Sequence, residues 1–176
     1  MSTMNLEKQR YPIGRFQLPS TISEKMLKEA ITILEIFPEN LKSLVQPLDD
    51  ATLDRPYREG GWTIRQLIHH ISDSHHNSYI RFKWALTEEN PLIKAYDEKA
   101  WANLGDYLTL PIAWSLDHLE NVHHKLVYLL KMLHEDQWER TFKHPDTGAQ
   151  MNLRELALMY SWHSMHHFAH IKNALN

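Results

Sequence analysis

The sequence predicts an all-α protein folded as a four-helix bundle. Four long stretches carry apolar residues at helical spacing, and no stretch shows a convincing strand pattern. Five glycines in 176 residues are also too few for the many tight turns of an all-β protein. A chain of this length suits one domain with its own core, which we place over residues 1–176.

The first two helices are delimited by proline and by a capping pattern. The first is expected over about residues 22–46, where Pro38 either kinks it or starts a second segment and Pro47 ends it. The second follows the glycine pair of REGGW and runs to about residue 87. Thr63 and Gln66 have the spacing of a capping box at its start.

The last two helices follow long connections. The connection ENPLIKAYDEKAWANLGDY is predicted to contain a short helical turn around DEKAW. The third helix is expected to open at Pro111, because proline is favoured at the first helical position. The connection RTFKHPDTGAQMN holds a Pro-Asp-Thr-Gly turn. Asn152 and Glu155 then form a second capping-box pattern, which opens the last helix.

Composition excludes several classes of function. The net charge is −3 and the lysines and arginines are scattered, so nucleic-acid binding is not expected. There is no cysteine, which excludes disulfides, thiolate ligands and a cysteine nucleophile. No apolar run approaches the roughly 20 residues that span a bilayer, and the N-terminus lacks a signal-peptide pattern. A soluble, cytoplasmic protein without a membrane partner is therefore expected.

Histidine is the unusual component, with thirteen residues concentrated in residues 69–76, 118–124 and 163–170. In the last helix, a helical wheel places His167 within the apolar face and His163 at its edge. The same wheel turns His166 and His170 toward solvent. His163 and His167 are spaced i, i+4, as are the two zinc ligands of an HExxH helix. Such pairs more often bond to water or backbone than to a metal, so the spacing alone is a weak signal.

The second helix offers further candidates. His69 and His76 lie opposite its apolar stripe and are expected to be solvated. His70 flanks the stripe, and His75 falls on it, where a hydrogen-bonded core histidine is the ordinary interpretation. Periodicity does not choose between His70 and His75 as a third ligand.

The remaining histidines give weaker signals. Those of the third helix are expected at the surface or its boundary: His118, His123 and His124. The histidines of the connections, His134 and His144, are interpreted as ordinary polar residues, although His144 is placed to line a pocket rim.

Several motifs occur together in a fixed order: GGWTIRQLIHHISDSHHNSYIRFK, AYDEKAW, FKHPDTG and YSWHSMHHFAHI. In this combination the chain resembles the DinB-like superfamily, and within it the YfiT group of metal-dependent hydrolases. The resemblance covers nearly the whole chain and implies a four-helix bundle, a homodimer and one metal ion held by three histidines. Carried over by motif, the ligands are His70, His163 and His167. His75 then becomes a core or boundary residue.

Three neutral imidazoles leave the charge of a divalent ion uncompensated, which favours activation of a bound water. The resemblance accordingly implies a hydrolase acting on a small molecule. No general base is evident: Asp73, three positions after His70, is interpreted as a surface aspartate, and Tyr160, one turn before His163, as a core residue. All-histidine sites suit zinc, nickel, copper or iron, with zinc or nickel expected here.

Three other functions fit the same residues. Members of the superfamily are similar to S-transferases that activate a low-molecular-weight thiol on the metal. A non-catalytic metal- or ligand-binding module and a purely structural bundle with solvated histidines are the remaining alternatives.

Overall fold

The computed structural model describes residues 3–145 and 148–176. In chain order its elements are α1 Thr3–Arg10, α2 Glu24–Val45, α3 Asp50–Leu53, α4 Ile64–Thr87, α5 Glu98–Trp101, α6 Gly105–Thr109, α7 Ile112–Met132, α8 Glu135–Trp138, β1 Thr141–Lys143, β2 Gln150–Asn152 and α9 Leu153–Ala174. The four long helices pack in the ring order α2–α7–α4–α9, so that each helix contacts two neighbours. The predicted four-helix bundle is confirmed.

Both predicted capping boxes form. The backbone N–H of Gln66 donates to Thr63 Oγ1 (3.1 Å), and the backbone N–H of Thr63 donates to Gln66 Oε1 (2.8 Å). At the start of α9, the reciprocal hydrogen bonds between Asn152 and Glu155 are both 2.9 Å long. Each pair satisfies backbone donors that a helix start leaves without an intrahelical partner. The caps fix the first turns of α4 and α9, the two helices that carry the candidate ligands.

Short helical turns occupy the connections, as predicted. The DEKAW turn is α5, and the side chain of Asp97 accepts a hydrogen bond from the backbone N–H of Ala100 (2.9 Å) at its start. None of the described helices has the length and apolar character needed to cross a membrane.

Three details differ from the sequence expectations. Pro38 does not start a second segment, because α2 continues through it to Val45. Pro111 is the N-cap of α7 rather than its first residue. An antiparallel two-stranded sheet pairs β1 with β2 in the last connection, with Phe142 opposite Met151. Strands of three residues are too short for a periodic signal. Asp146 and Thr147 of the predicted Pro-Asp-Thr-Gly turn lie outside the described residues.

A layer of histidines divides the bundle core into two apolar parts. One part contains Leu34, Phe82 and Leu126, and the other contains residues such as Phe37, Ile71 and Leu119. Between these parts lie side chains from three of the long helices: His75 of α4, His123 of α7, and His163 and His167 of α9. The polar layer therefore sits where α4, α7 and α9 approach one another.

Candidate metal centre

The three sequence-predicted ligands come together between α4 and α9. One ligand nitrogen from each of His70, His163 and His167 lies within 4.8 Å of the other two. The His163 and His167 ring centroids are 4.4 Å apart, and His70 is 5.4 Å from the first and 5.0 Å from the second. The i, i+4 spacing on α9 therefore presents two imidazoles side by side, and α4 supplies the third from the facing helix.

A chain of hydrogen bonds connects His163 to the backbone of α2. The Nδ1–H of His123 donates to the carbonyl oxygen of Leu34 (2.6 Å). The other nitrogen of a neutral His123 must then accept, so His75 Nδ1 donates to His123 Nε2 (2.9 Å). By the same reasoning, His163 Nδ1 donates to His75 Nε2 (3.2 Å). His163 consequently keeps its Nε2 unprotonated, with a lone pair free to bind a metal.

A second, shorter chain acts on His167. His170 Nε2 donates to the carbonyl oxygen of Arg10 (3.2 Å), so His170 Nδ1 is the acceptor for His167 Nδ1 (3.3 Å). His167 therefore also keeps an unprotonated Nε2. His166, His167 and His170 form a second cluster with ligand-like spacing, but these hydrogen bonds already occupy both nitrogens of His170. Of the two histidine clusters found among the described residues, the one with His70 draws its ligands from two facing helices, whereas the other lies on α9 alone.

Burial keeps the three candidate ligands neutral. It lowers the pKa of His70 to about 4, and it lowers the pKa of His163 and of His167 well below the usual value, with the neighbouring imidazoles adding to the effect. Neutral imidazole is the form that binds a metal ion. His70 also has a buried Nδ1 that finds no hydrogen-bond partner among the described residues. The three histidines fit a divalent transition metal, because all the donor atoms are nitrogens. His70 has an imidazole nitrogen without a hydrogen-bond partner among the described residues, and the hydrogen bonds of His163 and His167 leave their Nε2 atoms unprotonated.

A cavity of about 580 Å³ opens beside His163. Its wall combines apolar groups such as Phe142 and Met151 with the polar side chains of Arg81, Tyr96 and Glu98. His144 also lines it, as anticipated for a pocket rim. The candidate metal centre thus borders a space large enough for a small organic molecule.

Two histidines of α9 differ from the wheel prediction. His166 and His170 were expected to face solvent, and both are buried. Tyr11 packs near the His166 ring (6.0 Å between centroids), and Tyr57 packs on His170 (4.4 Å). A helical wheel considers one helix alone. It therefore does not show that other segments of the same chain cover the side of α9 that carries His166 and His170.

Other histidines also differ from expectation. His123 was expected at the surface or its boundary and is instead buried, whereas His118 and His124 are exposed as predicted. His69 was expected to be solvated and is buried, because α6 covers it and Ser115 Oγ lies 2.8 Å from its Nδ1. His76 is partly buried. His75 is fully buried and hydrogen-bonded, which confirms the core interpretation.

Asp73 and Tyr160 have structural partners. Tyr107 Oη donates to Asp73 Oδ2 (2.6 Å), so this carboxylate is engaged away from His70. Tyr160 is a core residue, as interpreted, and its hydroxyl accepts a hydrogen bond from Arg81 Nη1 (3.2 Å).

Sequence reasoning missed three residues of the site. His123 lies four residues after Leu119 and three before Leu126, both core residues, so the wheel applied to α7 would have found it. Arg81 lies eleven residues after His70, about 20° away on the helical wheel and therefore on the same face. Glu98 had no such signal, because it reaches the cavity from a short connecting helix.

The fold and the histidine cluster place the protein in the class of helical bundles that have a candidate metal site between facing helices. Comparison with known proteins identifies one family within that class. The model of the DinB superfamily matches residues 33–171, and the chain belongs to that family.

Curated relatives cover almost the whole chain. YfiT of Bacillus subtilis is 46% identical over 171 residues, which are 97% of this chain and 94% of the relative. A relative from Halalkalibacterium halodurans is 48% identical over 166 residues, 94% of this chain and 96% of its own length. Both carry the name "Putative metal-dependent hydrolase".

Solved structures agree with the fold. The structure of Bacillus subtilis YfiT, whose four-helix bundle topology is described as unusual, superposes with a TM-score of 0.92 over 95% of both chains. A mycothiol-dependent maleylpyruvate isomerase, 22% identical, matches with a TM-score of 0.52 over 80% of this chain and 60% of its own, and shows the fold alone.

Proposed function

We propose that His70, His163 and His167 hold one divalent metal ion, zinc or nickel, and that the protein is a metal-dependent hydrolase of small molecules. The observation that carries the proposal is the set of three neutral imidazoles within 4.8 Å, two of them with hydrogen-bond partners that leave Nε2 free. When bound, such an ion supplies Lewis-acid activation of water. The shared name of the curated relatives supports the same reaction class.

Glu98 is the proton acceptor that we propose for this reaction. It lines the same cavity as His163 with part of its side chain exposed to solvent; partial desolvation raises the pKa of its carboxyl, and the charge of Arg81 opposes that rise. A carboxylate with a raised pKa is a better base near neutral pH than an ordinary one. Glu98 is thus a carboxylate that faces the cavity and can accept a proton there, whereas the carboxylate of Asp73 is already hydrogen-bonded to Tyr107.

Metal analysis tests the site. Wild-type protein loaded with zinc or nickel and then desalted is expected to retain one equivalent, whereas His163→Ala and His167→Ala retain much less, because each removes one of three ligands. His124→Ala is the matched control, since His124 is exposed on α7. Equal metal content in all four proteins would refute the assignment.

Activity is tested with ester and amide panels, with and without a chelator. Turnover that disappears with the chelator and returns with the metal supports the hydrolase. Turnover that persists unchanged in chelator-treated, metal-free protein would contradict metal dependence.

A thiol S-transferase is the second candidate. The chain has no cysteine, so a thiol at the metal would come from a cosubstrate, and the cavity of about 580 Å³ has room for one. A metal ion held by the three histidines would lower the pKa of a coordinated thiol, which would then lose its proton to solvent water without a dedicated protein base. Turnover of an electrophile that requires both the metal and a low-molecular-weight thiol favours the transferase, and thiol-independent turnover favours the hydrolase.

A further inference from the structure

Arg81 differs from the other buried arginines of the bundle. Arg65 forms ion pairs with Asp50 (2.6 Å) and Asp54 (2.7 Å), and Arg154 with three glutamates of which Glu24 lies at 2.9 Å. Arg81 is only 7% exposed, yet no carboxylate of the described residues lies within ion-pair distance of it.

The guanidinium of Arg81 is only partly satisfied by the protein. Its Nη1 donates to Tyr160 Oη (3.2 Å), while its Nε is buried without an acceptor among the described residues. An uncompensated buried charge is costly, and guanidinium groups are compensated best by carboxylates that accept two parallel hydrogen bonds. Among the described residues Arg81 therefore has no carboxylate at ion-pair distance; Glu98, on whose carboxyl its charge acts, lies farther away, and Arg81 lines the cavity beside His163.

Two further donors line the same cavity. The Trp162 indole Nε1 and the Tyr96 hydroxyl are both buried, and neither donates to an acceptor among the described residues; the Ser74 hydroxyl faces the Tyr96 oxygen as a donor. Burial raises the pKa of Tyr96, so its hydroxyl keeps its proton at neutral pH. Three unsatisfied groups that can all donate favour a ligand rich in acceptor oxygens. Among the described residues of the wall, the acidic side chains are those of Asp97 and Glu98, and both are partly exposed to solvent.

We propose that this cavity binds the carboxylate of an organic acid, with Arg81 as the anchor and Tyr96 and Trp162 as additional donors. The proposal rests on the proposed function and names the substrate class of that site. The apolar wall formed by Phe142, Met151 and Met159 accommodates the hydrocarbon body of the ligand, so the substrate class is an apolar carboxylic acid that also carries the reacting group.

A matched pair of probes tests the anchor: 3-phenylpropionate and 3-phenylpropionamide, which differ in charge but hardly in shape. Affinities are measured by calorimetry with zinc-loaded and with metal-free full-length protein, because zinc itself attracts carboxylates. Wild-type protein is expected to prefer the acid by about tenfold or more in both forms. Arg81→Gln is expected to weaken acid binding by about 10- to 100-fold and amide binding by less than about twofold.

The controls separate the anchor from general charge and from folding. Lys99→Gln removes an exposed cation of the same cavity and is expected to leave the preference intact. Arg81→Lys keeps the charge but loses the planar fork, so it is expected to retain only part of the preference. Should Arg81→Gln fail to fold by circular dichroism, Arg81→Lys alone decides the question.

The outcomes distinguish the two proposals. An equal affinity of wild type for acid and amide, or an undiminished preference in the Arg81 variants, overturns the anchor. A wild-type protein that takes up no metal overturns the proposed function, while the metal-free titrations still report on Arg81. The Arg81 variants are expected to bind one equivalent of zinc, as wild type does, because Arg81 is not a ligand.

Discussion

At the scale of single residues, two backbone carbonyl groups determine which ring nitrogen of each histidine in the site carries the proton. Leu34 O and Arg10 O each accept a hydrogen bond from a histidine that is not itself a candidate ligand, and the proton positions of the following histidines are then determined. A carbonyl oxygen has no proton to give, so the direction of each chain cannot reverse. The tautomers of His163 and His167 are thus set by residues outside the metal centre.

This arrangement predicts that His123 controls metal affinity without touching the metal. His123→Leu removes both the donor to Leu34 and the acceptor for His75, and it is expected to weaken zinc binding by about tenfold or more, as loss of an outer hydrogen-bond partner typically does. Competition titration with a coloured chelator measures the affinity, and 15N-detected NMR of the metal-free protein reports the tautomer of His163.

The controls are His124→Leu, which is expected to change neither quantity, and His123→Gln. Glutamine supplies an amide NH2 group as donor and a carbonyl oxygen as acceptor, so it is expected to restore part of the affinity. Zinc affinity and a His163 tautomer unchanged in His123→Leu would show that the chain has no influence on the ligand.

Glu98 gives a second prediction at this scale. If it accepts a proton in the reaction, Glu98→Gln lowers the turnover number by about 100-fold or more and leaves the metal content unchanged. Asp97→Asn is the matched control, because asparagine preserves the cap of α5 and Asp97 lines the same cavity. Wild-type turnover in Glu98→Gln would remove Glu98 from the mechanism.

At the scale of the helices, α4 and α9 carry the candidate ligands, and each of these helices starts with a capping box. Thr63→Ala removes the side-chain acceptor for the backbone N–H of Gln66, and it is expected to lower the free energy of unfolding by about 1 kcal/mol. Urea denaturation measures this change. Thr63→Ser keeps the hydroxyl and should remain near wild type, so an equal loss in both variants would indicate a packing effect of the threonine methyl instead.

Elements with a strong local signal could be predicted from the sequence. The capping boxes, the four helices and the pairing of His163 with His167 depend on spacing along one helix, which the sequence displays directly. His166, His170 and His69 were misplaced because their burial comes from other segments of the chain. Arg81 shares a helix face with His70, but only the structure shows that no carboxylate of the described residues lies within ion-pair distance of its guanidinium. The choice of His70 over His75 came from the family resemblance, since periodicity alone left both open.

At the scale of the whole molecule, the bundle tolerates a polar layer because its histidines bond to one another and to backbone. The single domain over residues 1–176, the cytoplasmic location and the homodimer stay predictions. Light scattering of the purified protein tests the homodimer, which is expected to give twice the chain mass of 20.9 kDa. A mass of one chain at micromolar concentration would contradict it.

The same layer makes the stability of the metal-free protein depend on pH. Burial lowers the pKa of His123 to about 4, whereas an unfolded histidine titrates near 6.5. Between these values the unfolded chain binds more protons than the folded one, so the free energy of unfolding falls as the pH falls from about 6.5 toward 4, and it is fully retained above 6.5. The buried ligand histidines, whose pKa values are also lowered, act in the same direction.

Urea denaturation at pH 7 and pH 5, with a chelator present, measures this effect. His123→Gln removes one titrating group, so its loss of stability between the two pH values is expected to be smaller than that of wild type by about 2 kcal/mol. His124→Gln changes an exposed histidine of the same helix and is expected to follow wild type. If His123→Gln instead shows the full wild-type loss, His123 is not held neutral in the folded protein, and the direction of the hydrogen bonds that lead from Leu34 to His163 would have to be reassigned.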